Sequence, residues 1–142
     1  TENVASIVGL GEACRLAALR LRDNDAARMT ALAHALFARL QRSIPDIVLT
    51  GHPTARLPNT LNVLFPGVSG RAVLEACPQV MASTGSACHA DREEASTILR
   101  AMGIPEHEAL GAVRLSLGAA TTAREADEAA DALVAAWRNL RD

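Results

Sequence analysis

Val113-Arg114-Leu115-Ser116-Leu117 places an apolar side chain at every second position. Successive side chains of a strand leave opposite faces, so a period of two describes a ribbon with one side buried and the other free to be polar. This alternation constrains the fold most, because a half-buried strand needs neighbours at its edges and an apolar layer against one face. Candidate neighbours lie upstream. Asp46 to Thr50 and Thr60 to Phe65 read as short strands separated by the turn-rich Gly51-His52-Pro53 and Leu57-Pro58-Asn59, which predicts a hairpin-like antiparallel pairing. Val80-Met81-Ala82-Ser83 reads as a further strand.

The covering layer is predicted from the helical periods. Val4, Ile7, Val8, Gly11, Cys14 and Ala18 form one stripe, and Met29, Leu32, Leu36, Phe37 and Leu40 form a second that runs to Ile44 and stops at Pro45. Asp23-Asn24-Asp25 supplies helix-starting residues between them. Ser69 caps a short helix through Ala76. Asp91 and Glu94 resemble a capping box for a helix carrying Ala95, Ile98, Leu99 and Met102 up to Gly103. Thr122 and Glu125 make a second such box, ahead of Ala126, Ala130, Leu133, Val134 and Trp137 on one face. The expected fold is α+β: about four strands, mostly antiparallel, with helices packed over one face.

At 142 residues the chain suffices for one domain. A net charge of −2, one Trp, two Phe and no Tyr offer neither the basic surface nor the stacking rings that nucleic acid calls for. No apolar run approaches the roughly 20 residues of a membrane-spanning helix. These residues show no basic n-region followed by an apolar h-region, and three cysteines make no disulfide framework, so a cytoplasmic setting is expected. The sequence opens at Thr1 without a methionine and the first helical pattern runs from the first few residues, which suggests a piece of a longer chain. All 14 residues counted as Lys plus Arg are arginine, so chemistry that needs a Schiff base on lysine cannot be completed by these residues alone.

Three cysteines have different surroundings. Cys14 falls on an apolar stripe and Cys77 ends the run Ala72-Val73-Leu74-Glu75-Ala76; both are expected in the core, where free cysteine acts as a small hydrophobe. Cys88 lies in Ser83-Thr84-Gly85-Ser86-Ala87-Cys88-His89-Ala90-Asp91, among residues too small to bury it. A thiol there is either an incidental loop cysteine or one that swings between positions on a pliable backbone. Metal ligation is not supported: His89, Cys77, His107 and His52 form no C-x-x-C or H-x-x-x-H spacing. His89 either helps ionise the neighbouring thiol or stands by. Arg114 points away from the apolar face of its strand. It either meets solvent or grips a small carboxylate in a bidentate pair, for which a planar guanidinium is best suited.

Several motifs resemble one family. "STGSACHA" looks like the active-site loop of cysteine desulfurases and selenocysteine lyases, pyridoxal-phosphate enzymes of the class V aminotransferase fold. "VRLSLG" resembles that family's arginine-bearing strand, "RLPNTLNVLF" its R-x-P-x-T-x-N strand, and "TENV" the tail of its G-T-E-N segment. The resemblance spans nearly all 142 residues and covers only the family's smaller, C-terminal domain, a small domain of a fold type I enzyme. It implies that Cys88 is the nucleophile, Arg114 the clamp on the substrate carboxylate, and Thr1 a contact to cofactor phosphate across a homodimer interface. It implies further that L-cysteine is converted to alanine, leaving a persulfide on Cys88 for a sulfur-acceptor protein, with L-selenocysteine as the alternative substrate. The lysine that holds pyridoxal 5'-phosphate in this family belongs to the larger domain. The 142 residues are therefore expected to bind no cofactor and to be inactive alone. Ala95-Ser96-Thr97 departs from the family, many of whose members carry a proline before the serine. Two other possibilities are a non-enzymatic sulfur-carrier or interaction module, and an assembly domain that uses the first helix as its contact surface.

Overall fold

The computed structural model describes residues 1–22, 25–85 and 95–141, with the side chain of Arg22 left aside. Its elements are α1 (Val4–Arg22), α2 (Asp25–Ser43), β1 (Val48–Leu49), β2 (Thr60–Leu64), α3 (Gly70–Glu75), α4 (Thr97–Ala101), α5 (Glu106–Ala109), β3 (Ala112–Ser116) and α6 (Ala123–Asn139). The sheet has the order β1-β2-β3 and both pairings are antiparallel. In β2 and β3, Thr60 faces Ser116, Asn62 faces Arg114 and Leu64 faces Ala112.

Helices α2 and α6 cover one face of the sheet because each carries an apolar stripe at helical spacing. Met29, Leu32, Ala33, Leu36 and Leu40 are buried from α2, and Ala126, Ala130, Leu133, Val134 and Ala136 from α6. They close over Leu61, Val63, Val113, Leu115 and Leu117 in the main core. Burying one such leucine contributes about 1.5–3 kcal/mol. The Thr122 capping box is complete: its side chain accepts from Glu125 N, and the Glu125 carboxylate accepts from Thr122 N at 2.8 Å. Trp137, half-buried, donates from Nε1 to Pro66 O at 3.0 Å and ties α6 to the end of β2.

Helix α3 meets β3 through backbone with no space between. Gly70 N donates to Leu110 O at 2.9 Å, and a side chain at Gly70 would collide with the Ala112 carbonyl. Glycine is required there by close approach.

The structure corrects several expectations. Among the described residues the sheet has three strands where about four were expected: Ser83 forms only an isolated bridge to Arg114, and Val80 N closes a turn on Cys77 O at 3.0 Å, which takes the start of the expected strand out of the sheet. β1 is two residues long, and Asp46, expected at its start, takes a left-handed φ of 62° outside the extended region. The Asp91–Glu94 capping box lies outside the described residues, and the helix seen there begins at Thr97. The short helix α5 carries no sequence signal beyond one turn. With α4, it packs on the opposite face of the sheet from α2 and α6, closing a second, smaller core of Leu64, Ala95, Leu99, Ala109 and Ala112.

The first helical stripe is not core. Val4, Ile7, Val8, Leu10, Leu16, Leu19 and Leu21 are exposed, and so is Cys14, contrary to the expectation that it is buried. An apolar stripe predicts which side of a helix seeks cover; it does not supply the cover. Among the described residues, α1 meets chiefly α2.

Candidate functional site

The alternation in β3 is realised as read. Ala112 and Val113 are buried, Leu115 is buried, and Arg114 and Ser116 are exposed. Residues directly opposite in an antiparallel ladder leave the same face with Cβ atoms about 4.5–5.5 Å apart. Thr60, Asn62, Arg114 and Ser116 therefore make up one polar surface, on the side away from α2 and α6. Leu64 and Ala112 continue it at one end and lie under the second core.

Arg114 is also the attachment point of the segment leading to Cys88. Its N–H donates to Ser83 O at 2.7 Å, and Ser83 N donates to Arg114 O at 3.2 Å. Ser83 Oγ then donates to Gly85 O at 2.7 Å. Together these bonds fix the chain as far as Gly85 against the edge of β3. Cys88 and His89 lie outside the described residues. On the far side, Ala95 is buried in the second core beside Leu64 and Ala112. The chain thus leaves from the rung that carries Arg114 and returns to the closed end of the same surface.

Neither the Arg114 guanidinium nor the Asn62 carboxamide has a hydrogen-bond or ion-pair partner among the described residues. Arg114 is exposed and meets water. Asn62 Oδ1 is shielded and accepts from no donor, a condition that costs about 1–3 kcal/mol for a neutral group. The other buried side-chain atoms of this kind are Nε and Nη1 of Arg56, whose Nη2 donates to Thr50 O at 2.8 Å. Neither Ser83 nor Asn62 was singled out in the sequence as part of the site. Asn62 carries the same parity signal as Arg114, a polar residue flanked by Leu61 and Val63, whereas the bridge at Ser83 has no local signature.

The remaining candidates are dispersed. Thr1 is exposed ahead of α1, with no hydrogen bond or ion pair to Arg114. Cys77 is fully buried and donates from Sγ to Val73 O at 3.0 Å; burial pushes its thiol above the ordinary range, so it is poorly ionised. His52 is committed to its own turn, with Nδ1 accepting from Ala55 N at 2.8 Å. His107 is exposed beside Glu108. Among the described residues no group of three or more His, Cys, Asp or Glu is placed to hold a metal ion.

An exposed cation on a rigid strand, next to the anchor of the segment that leads to Cys88, is suited to receive a small carboxylate. Residues 1–128 match the sequence profile of Aminotransferase class-V. The chain belongs to the class V aminotransferase family. Within it, the chain is 41% identical over 130 residues to cysteine desulfurase 2 of Trichormus variabilis, covering 90% of this chain and 32% of that protein. It is 39% identical over 142 residues to cysteine desulfurase IscS of Anaeromyxobacter sp. (strain K), covering 100% of this chain and 35% of that protein. A solved NifS-like protein from Rickettsia africae superposes with a TM-score of 0.77 at 27% identity, over 100% of this chain and 36% of that one. A second solved NifS-like protein gives a TM-score of 0.79 at 27% identity, over 99% and 34%. This class V member therefore spans about a third of the length of the relatives it matches. Among its described residues no helix is long and apolar enough to cross a membrane.

Proposed function

We propose that the chain is the C-terminal, smaller domain of a pyridoxal-phosphate-dependent cysteine desulfurase, in which Cys88 takes sulfur from L-cysteine and Arg114 holds the substrate carboxylate. The observation that carries this is the double use of one rung of β3. The backbone of Arg114 pins Ser83 at 2.7 Å while its side chain stands exposed and unpaired. Two residues, Ser86 and Ala87, separate Gly85 from Cys88, and the three steps between their Cα atoms span at most about 11 Å. That chain length sets no barrier to a carboxylate on Arg114 and a thiol on residue 88 serving one small substrate.

These 142 residues do not make a holding site for the cofactor by themselves: they contain no lysine, and Thr1 is exposed with a single hydroxyl to offer. Pyridoxal phosphate, held chiefly by residues outside these 142, would supply the electron sink that weakens the bond between Cβ and sulfur. The chain's own part is orientation and sulfur capture. The Arg114 guanidinium makes two parallel N–H bonds to the carboxylate and fixes the substrate's direction. The Cys88 thiolate forms a bond to the substrate sulfur as the Cβ–S bond breaks. The electron pair of that bond stays with the carbon fragment, which takes a proton and leaves as alanine, while Cys88 carries a persulfide. Its outer sulfur then passes to the thiolate of an acceptor protein. A small-residue loop suits the handover, since the loaded cysteine has to meet first the substrate and then the acceptor. We place the enzyme in the cytoplasm as a homodimer, with Thr1 against the cofactor phosphate of the partner subunit.

Alanine release from L-cysteine by the longer enzyme tests this. Cys88→Ala should abolish persulfide formation and reduce alanine release by at least two orders of magnitude, about 2.7 kcal/mol of barrier. An unchanged rate would remove Cys88 from the reaction.

A further inference from the structure

Asn62 stands directly across the ladder from Arg114, on the same face, and its Oδ1 is shielded from water without a donor. Arg114 beside it has N–H groups and no acceptor among the described residues. A donor and an acceptor that both lack partners, on the same rung, are each other's nearest remedy. A guanidinium has five N–H groups, of which a bidentate carboxylate takes two, so others are free for support. Resting on the assignment of Arg114 as the carboxylate clamp, we propose that Asn62 is its positioning residue. In the substrate-bound state Oδ1 accepts one N–H of the Arg114 guanidinium, laying the group across the strands and fixing the plane it presents.

The chemistry of the residue supports this role. An aspartate at position 62 would pair with Arg114 as an ion and compete with the incoming carboxylate. A carboxamide oxygen orients the cation and leaves its charge for the ligand. Asn62 Oδ1 is unpartnered in the unliganded chain, and an unsatisfied buried acceptor is a form of stored strain that a site keeps when function gains from it.

The test uses Asn62→Leu, similar in shape but without the acceptor, in the longer enzyme. KM for L-cysteine should rise about tenfold, the size expected of one charge-assisted hydrogen bond, with kcat within twofold. The melting temperature should stay level or rise, because an unpaired buried oxygen has been removed. In an Arg114→Ala background the same change should add nothing to KM. An unchanged KM in the single variant, a further loss in the double variant, or a clear fall in melting temperature would each overturn the proposal. If Arg114→Ala itself leaves KM untouched, the carboxylate clamp fails and this role falls with it. If Arg114→Ala raises KM and Asn62→Leu does not, only the role of Asn62 is lost.

Discussion

The two faces of the β2–β3 ladder are built from alternate residues of the same ten and behave as different materials. On one, Leu61, Val63, Val113 and Leu115 are 0–5% exposed and locked under α2 and α6. On the other, Asn62, Arg114 and Ser116 are half-buried or exposed, and the Asn62 carboxamide and the Arg114 guanidinium have no partner among the described residues. The closed face sets stability through packing, which is sensitive to every methylene. Beyond the end that Leu64 and Ala112 bury in the second core, this face adds little to stability, so Asn62, Arg114 and Ser116 are free to be chosen for what they bind. A period of two thus separates structure from chemistry within one pair of strands.

The contrast is most easily broken from the closed side. Leu40 is fully buried between α2 and the sheet, and Leu40→Ala should cost about 2–5 kcal/mol in urea unfolding. Ser116→Ala, on the open face, should stay within about 0.5 kcal/mol. Similar losses for the two would erase the distinction.

The thiols sharpen it at the next level. Cys14 is exposed and Cys77 is buried against the Val73 carbonyl. Alkylation of the native chain followed by mass mapping should therefore find Cys14 modified freely and Cys77 only under denaturant. Because burial raises the Cys77 thiol, any native-state labelling there should keep increasing with pH beyond the ordinary thiol range. Equal labelling of both cysteines would contradict the burial on which the closed face depends.

The smallest expected effect lies at the edge of the closed face. The Glu125 carboxyl is held below the usual carboxylate range by the Thr122 backbone N–H first and the Thr122 hydroxyl second. Its lowered folded-state value means that its contribution to stability is present above the ordinary carboxylate range and is lost as pH falls through the lowered value. The advantage of the native chain over Glu125→Gln in urea midpoint should shrink on acidification, and an advantage that grows would reverse the sign of the effect.

How far these features were legible in the sequence depends on how local their signals are. The stripes of α2 and α6, the Thr122 box, the Ser69 cap and the outward parity of Arg114 all follow from spacing within a few residues, and all are present as read. The bridge from Ser83 to Arg114 joins residues 31 positions apart and has no local signature, so a strand was expected there where a single rung exists. Asn62 became interesting only when its register against Arg114 was known. Cys14 misled because an amphipathic pattern marks the side of a helix that seeks cover, whereas burial depends on what else is present to cover it. The motif around Cys88 was the most specific feature of the sequence, and that residue lies outside those the structure describes.

The central claim, that the open face receives the substrate carboxylate, is tested most directly by L-cysteine titration of the Arg114→Ala enzyme beside its urea unfolding curve. We predict a KM raised about 10- to 100-fold, the loss of a charged hydrogen-bonded pair, with an unfolding midpoint close to that of the parent. An unchanged KM, or a KM that rises only in step with lost stability, would contradict it.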